Sequence, residues 1–109
     1  KECALAKRYI DANYSKNITL DTLAEITHIN KFYLAHIFTE CMGRSPINYL
    51  TEVRLAASKQ QLATSNMSIA QVASNNGFSS QSYFSQIFKK KIGLTPQQYR
   101  KQNSGIQKG

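Results

Sequence analysis

A chain of 109 residues with 41% hydrophobic and 18% charged side chains has room for one domain or two very small ones, and enough apolar content to bury a core. No apolar run nears the roughly 18–20 residues that span a bilayer, and no signal-peptide pattern opens the chain, so a soluble protein is expected. The formal charge is +8, and its distribution says more than the total: residues 1–54 hold seven Lys/Arg against six acids, residues 55–109 seven against none. A folded segment without a carboxylate is expected to seek a polyanion, of which nucleic acid is the usual one. Cys3 and Cys41 are too few for a disulfide framework and lack metal-ligand spacing, which fits a reducing compartment. An opening at Lys1 rather than Met points to a piece of something longer.

The periodicity is helical nearly throughout, without sustained strand-like alternation. Leu5, Tyr9 and Ile10 predict an amphipathic helix over about residues 2–14. Thr19 is placed to cap a short helix holding Leu20, Leu23 and Ala24. After a turn through His28 and Ile29, Asn30 is placed to cap a helix carrying Leu34, Ile37, Phe38 and Cys41, which Gly43 ends. Ser45-Pro46 opens the longest helix, through Leu50, Val53, Ala57 and Leu62 to about Ala63. Ser68 with Gln71 reads as a capping box for a short helix of Ile69, Val72 and Ala73. Asn76-Gly77 turns the chain, and Ser79 or Ser80 caps a helix with Phe84, Ile87 and Phe88, closed by Gly93. Thr95-Pro96 starts a last short helix at Tyr99.

The second half repeats the first. Gly43, Pro46 and Tyr49 recur 50 residues on as Gly93, Pro96 and Tyr99, and Tyr33-Leu34 with Ile37-Phe38 as Tyr83-Phe84 with Ile87-Phe88. Leu20, Leu23 and Ala24 match Ile69, Val72 and Ala73 at an offset of 49. The repeated unit is a short helix, a tight turn and a longer helix. The expected division is 1–52 for the first unit, 46–64 for a shared helix, 65–101 for the second unit, and a disordered tail over 102–109. The expected fold class is all-α, with about seven helices.

In a helix-turn-helix the second helix buries one stripe and offers the opposite one to base edges. Stepping 100° per residue puts Leu34, Ile37, Phe38 and Cys41 within about 50° of one direction, which leaves Phe32, Ala35, His36 and Thr39 opposite. The same construction on the later helix buries Phe84, Ile87 and Phe88 and presents Ser82, Ser85, Gln86 and Lys89, with Lys90 at the edge. Lys31 and Gln81, at the heads of these helices, complete the candidate contacts. Gln86 can pair with adenine N6 and N7, the serines can make single hydrogen bonds, and Lys89 can reach a phosphate or guanine. Phe32 and Ala35 offer only apolar contact, best suited to a thymine methyl. The first helix is therefore expected to read by shape and methyl contact, the second by hydrogen bonds. A joining helix of about 18 residues spans roughly 27 Å, near one turn of B-DNA at about 34 Å, so neighbouring major grooves are the expected targets.

The strings Tyr49-Leu50 with Arg54-Leu55, Ile69 with Val72-Ala73, Gly77-Phe78, Ser82-Tyr83-Phe84-Ser85, Phe88-Lys89-Lys90, and Gly93, Thr95-Pro96, Tyr99-Arg100 resemble the C-terminal signature of AraC/XylS-type transcription regulators. The resemblance covers about residues 2–101. It implies a seven-helix domain of a bacterial, cytoplasmic promoter-binding regulator, usually an activator that contacts RNA polymerase. It also implies a sensing or dimerising domain ahead of this one. The chain departs from the pattern at His36 and Gln86, where Arg is usual, at Thr39, where Lys or Arg is common, and at Ser80, where an acid is. His28 stands where Gly is frequent, and Ser58 and Gln61 where small and apolar residues are usual. Losing both arginines argues against guanine-specific readout.

Gly77, Phe78, Tyr83, Phe84, Phe88, Pro96 and Tyr99 are expected in turns and core rather than at DNA, Cys41 as a small core residue, and Arg54 as a link between helices. No cofactor or metal is expected: His28, His36 and Cys41 form no ligand set. Neither cysteine has a neighbour that activates a thiolate, and no nucleophile–base set exists, so catalysis is not expected. The rival to DNA binding is a helical protein–protein interaction module, with the charge serving only solubility. RNA is a weaker third, since the outward faces lack stacking aromatic pairs.

Overall fold

The computed structural model describes residues 1–104, and these contain helices and no strand. In chain order the helices are α1 (Glu2–Asn13), α2 (Leu20–Thr27), α3 (Lys31–Met42), α4 (Pro46–Thr64), α5 (Ile69–Asn75), α6 (Gln81–Ile92) and α7 (Pro96–Asn103). The chain divides into two compact units at Val53/Arg54, within α4.

The caps are local chemistry. Thr19 and Ser68 form capping boxes with Thr22 and Gln71 at the starts of α2 and α5. Asn30 Oδ1 accepts from the backbone N–H groups of Phe32 and Tyr33, and Ser80 Oγ from that of Tyr83. Of the two serines proposed for α6, the cap is therefore Ser80. Thr95 boxes with Gln98 ahead of Pro96, and Ser45 Oγ accepts from the Asn48 N–H at the start of α4. Gly43 and Gly93 close α3 and α6 with φ of 78° and 93°, where a side chain is strained.

The core of the first unit gathers Cys3, Ala6, Ile10, Leu23, Leu34, Phe38 and Leu50. That of the second gathers Leu55, Leu62, Val72, Phe78, Phe84 and Phe88. The internal repeat extends further than the motifs revealed. Cys3, Ala6 and Ile10 of α1 are matched 52 residues on by Leu55, Ser58 and Leu62, all buried. So α1 is to its unit what the later part of α4 is to the other. Phe38 against Tyr49, ring centroids 5.9 Å apart, is repeated as Phe88 against Tyr99 at 5.6 Å. In the second unit Phe78, Phe84 and Phe88 continue this as a row, with neighbouring centroids 4.8 and 5.5 Å apart.

Each closing helix is tied to the first helix of its own unit. The Tyr49 hydroxyl donates to Asp11 Oδ1 at 2.6 Å, and Arg100 Nε donates to the Leu62 carbonyl at 3.1 Å. Burial raises the Tyr49 pKa, and accepting from Tyr49 and Lys7 outweighs burial at Asp11, whose pKa is lowered.

Several expectations on packing are corrected. Cys41 is exposed; Cys3, on α1, takes the buried place beside it. Burial, and then the neighbouring Cys41 thiol, push the Cys3 pKa up to about 11, which makes it unreactive. Tyr83 is 48% exposed and its repeat partner Tyr33 58%, so neither is core. Leu5 lies at the surface of α1, where Cys3 and Ala6 do the burying. The tail does not begin at 102: Gln102 and Asn103 belong to α7, and Asn103 Nδ2 donates to the Tyr99 carbonyl at 2.9 Å. The remainder of that expected tail, 105–109, lies outside the described residues.

Candidate nucleic-acid interface

What aims each second helix is the turn before it. In the first unit α2 ends at His28, whose φ of 60° and ψ of 33° are left-handed, the only such non-glycine residue among those described. The second unit has Gly77 at the matching position, with φ of 88°. The residue before each is a buried polar one that sequence reasoning missed. Thr27 Oγ1 donates to the Leu23 carbonyl at 2.9 Å, and Asn76 Nδ2 to the Val72 carbonyl at 2.8 Å. Each thus finds a backbone acceptor four residues back, while Asn76 Oδ1 is buried without a hydrogen-bond partner among the described residues. Asn76 Nδ2 also lies 3.0 Å from Gln61 Oε1, so the polar residue on α4 that departed from the expected pattern has a buried partner. Ser58, the other departure, is buried and donates to the Arg54 carbonyl at 2.8 Å.

On α3, Leu34 and Phe38 are buried and the opposite side is open. Phe32 is 70% exposed, His36 and Thr39 are exposed, and Ala35 is half-buried. The Phe32 ring is thus presented to solvent on the open side of α3 instead of entering the core. Lys31 is half-buried, its ammonium 5.6 Å from the Phe32 ring centroid and 3.0 Å from Asp21 Oδ1. His36 Nε2 faces Glu40 Oε2 at 3.4 Å, and the Thr39 hydroxyl donates to the Ala35 carbonyl.

On α6, Phe84 and Phe88 are buried, while Gln81, Ser82, Gln86, Lys89 and Lys90 are exposed and Ser85 is half-buried. Two clefts border this side. One of about 250 Å³ is lined by Ile69, Gln81, Ser85, Thr95, Pro96 and Gln97, and one of about 480 Å³ by Ser85, Gln86, Lys89, Lys90 and Thr95. The start of α7 therefore flanks the open side of α6. The candidate residues of each unit do share one open helix side, unit by unit.

Arg54 is half-buried, and burial lowers its pKa while the nearby Tyr83 opposes the shift. Among the described residues no group of His, Cys, Asp and Glu is arranged to hold a metal, and no helix is long and apolar enough to cross a membrane.

Two short-helix, turn, long-helix units, each leaving one side of its second helix open, define a protein of the tandem helix-turn-helix class. Residues 23–102 match the family model described as a helix-turn-helix domain. The chain is 34% identical over 96 residues to the bifunctional transcriptional activator/DNA repair enzyme AdaA of Bacillus subtilis, covering 88% of this chain and 46% of that protein. It thus spans less than half the length of that curated relative. The C-terminal domain of AraT, a response regulator from Geobacillus stearothermophilus, superposes with a TM-score of 0.92 at 31% identity, over 94% of this chain and 86% of that one. A transcriptional regulator from Chromobacterium violaceum with an AraC-type DNA-binding domain does so at 0.86 and 27% identity, over 95% and 93%. The chain belongs to the helix-turn-helix domain family, in its AraC type.

Proposed function

We infer that the chain is the DNA-binding part of a transcription regulator and binds duplex DNA sequence-specifically, with α3 and α6 as its recognition helices. The observation that carries this is the doubled open side. At positions 50 apart, Phe32 and Ser82, His36 and Gln86, and Thr39 and Lys89 all stay exposed beside fully buried Leu34 and Phe38, or Phe84 and Phe88. A helix that buries one stripe so thoroughly and caps its own ends has its other stripe available for a groove.

In each unit the contacts are those read from the helix wheel. Lys31, Phe32, Ala35, His36 and Thr39 serve the first helix, with Phe32 against a thymine methyl. Gln81, Ser82, Ser85, Gln86, Lys89 and Lys90 serve the second, with Gln86 bidentate to adenine and Lys90 at a phosphate. The whole protein acts as a bacterial cytoplasmic regulator, usually an activator, with a sensing or dimerising domain in the length that its relative has in addition. RNA polymerase is its second partner. The unit boundaries proposed for function are the 1–52 and 65–101 segments on the shared 46–64 helix.

Selection of bound sites from random duplexes by this chain tests the reading. Two short motifs about one helical turn apart, the second rich in adenine contacts, are expected. Recovery of no enriched motif overturns it.

A further inference from the structure

The repeat makes the open sides of α3 and α6 comparable position by position, and their charge differs toward the ends of the two helices. Where α6 has Lys89 and Lys90, α3 has Thr39 and Glu40. The contrast extends over the units: residues 1–53 hold six Lys/Arg and six Asp/Glu, residues 54–109 eight Lys/Arg and no acid. The folded arrangement sharpens this. In the first unit Lys31 sits 3.0 Å from Asp21, Lys7 2.9 Å from Asp11 and Arg44 2.7 Å from Glu52, while His36 faces Glu40. In the second, Lys89, Lys90 and Lys91 are all exposed on a unit with no carboxylate side chain.

We propose that the two units divide the electrostatic work on one duplex: the unit from Arg54 onward supplies the phosphate-neutralising attachment alongside its Gln86 base contact, and the unit of residues 1–53 supplies base discrimination with almost no salt-dependent affinity. This rests on the DNA-binding reading above. Attachment to phosphates is driven by release of condensed counterions, about 0.9 of an ion per phosphate neutralised. Moving the Lys31 ammonium onto a phosphate strands Asp21, which takes up a cation in its place, so net release is near zero. Glu40 stands on the flank of α3 where Lys90 stands on α6, and there it repels the phosphate wall that Lys90 attracts. What remains on α3 is short-range: the exposed Phe32 ring, Ala35, and His36.

Lysines in the last turn of α6 also suit the carbonyl end of that helix, so the test must separate attachment from stability. The whole chain is titrated by fluorescence anisotropy against a selected duplex and a scrambled one from about 50 to about 200 mM salt, with thermal unfolding of each variant alongside. Lys90→Gln is expected to flatten the slope of log K against log[salt] by about 0.9 and to weaken both duplexes alike. The neutral exchange Lys31→Gln with Asp21→Asn is expected to leave the slope unchanged. Glu40→Lys is expected to steepen it by about 0.9 and tighten both duplexes, whereas Phe32→Ala should lose discrimination at constant slope. A slope loss from the Lys31/Asp21 exchange equal to that from Lys90→Gln overturns the division while DNA binding stands, as does an unchanged slope in Glu40→Lys. No affinity for either duplex at any salt overturns the DNA-binding reading and the division with it.

Discussion

Replacing His28 by glycine should make the protein more stable, although it removes a side chain and adds no contact. His28 holds φ 60° and ψ 33° at the end of α2, with its N–H on the Ala24 carbonyl at 2.8 Å. An L-residue pays about 1–2 kcal/mol to sit in this region, at the lower end for a side chain such as His that tolerates it. Glycine sits there freely but loses about 0.5–1 kcal/mol more backbone freedom on folding. The net gain for His28→Gly is at most about 0.5 kcal/mol, a rise of up to roughly 2–4 °C in Tm for a domain of this size. The second unit provides the reciprocal experiment. Gly77 has φ 88° at the matching position, so Gly77→Ala should cost about 0.5–1 kcal/mol by the same arithmetic. Urea and thermal unfolding followed by circular dichroism measure both. Loss of stability in His28→Gly would refute the reasoning, because it would mean that the imidazole contributes more than its backbone strain costs.

Gln86→Ala should relax specificity at one base pair by about 1–3 kcal/mol and leave the others unchanged, read by competition with single-substitution duplexes. Phe88→Ala, which removes a fully buried ring packed on both Phe84 and Tyr99, should cost about 3–5 kcal/mol in denaturant unfolding. The folded Asp11 pKa lies below its ordinary value, near pH 4. Its contribution is therefore present above about pH 4 and is lost as pH falls through the lowered folded value. Asp11→Asn should accordingly show a shallower fall of Tm on the acid side than the natural chain; the group is largely exposed, so the difference is small.

The sequence carried the buried stripes of α3 and α6 because Leu34, Phe38, Phe84 and Phe88 recur at helical spacing and again 50 residues on; two periodicities agreeing leave little freedom. Caps were legible for the same local reason: Thr19, Asn30, Ser68 and Thr95 act within three residues of themselves. Direction on a wheel does not say how far a neighbouring helix reaches, and that is why Cys41, in the last turn of α3, was expected inside. Tyr83 misled differently: it stands next to the core residue Phe84 in the repeated string but one step round the helix, at the flank. Thr27 and Asn76 look like surface residues by type. Their burial depends on backbone acceptors that only the folded turn supplies. The match of Cys3, Ala6 and Ile10 with Leu55, Ser58 and Leu62 is not legible in the sequence because the residue types differ while the packing places agree. Charge sums by half of the chain pointed to a polyanion. The pairing of Lys31 with Asp21, ten positions apart in separate helices, is visible only in the fold.

The account stands on which side of α3 and α6 meets the duplex, and an NMR titration of this chain with a selected site reads that directly. Backbone and side-chain signals of Phe32, His36, Ser82, Gln86, Lys89 and Lys90 should shift together as duplex is added, with Leu34, Phe38, Phe84 and Phe88 responding least. Shifts concentrated on α1 and the exposed side of α4, with the open sides of α3 and α6 unmoved, would contradict the account.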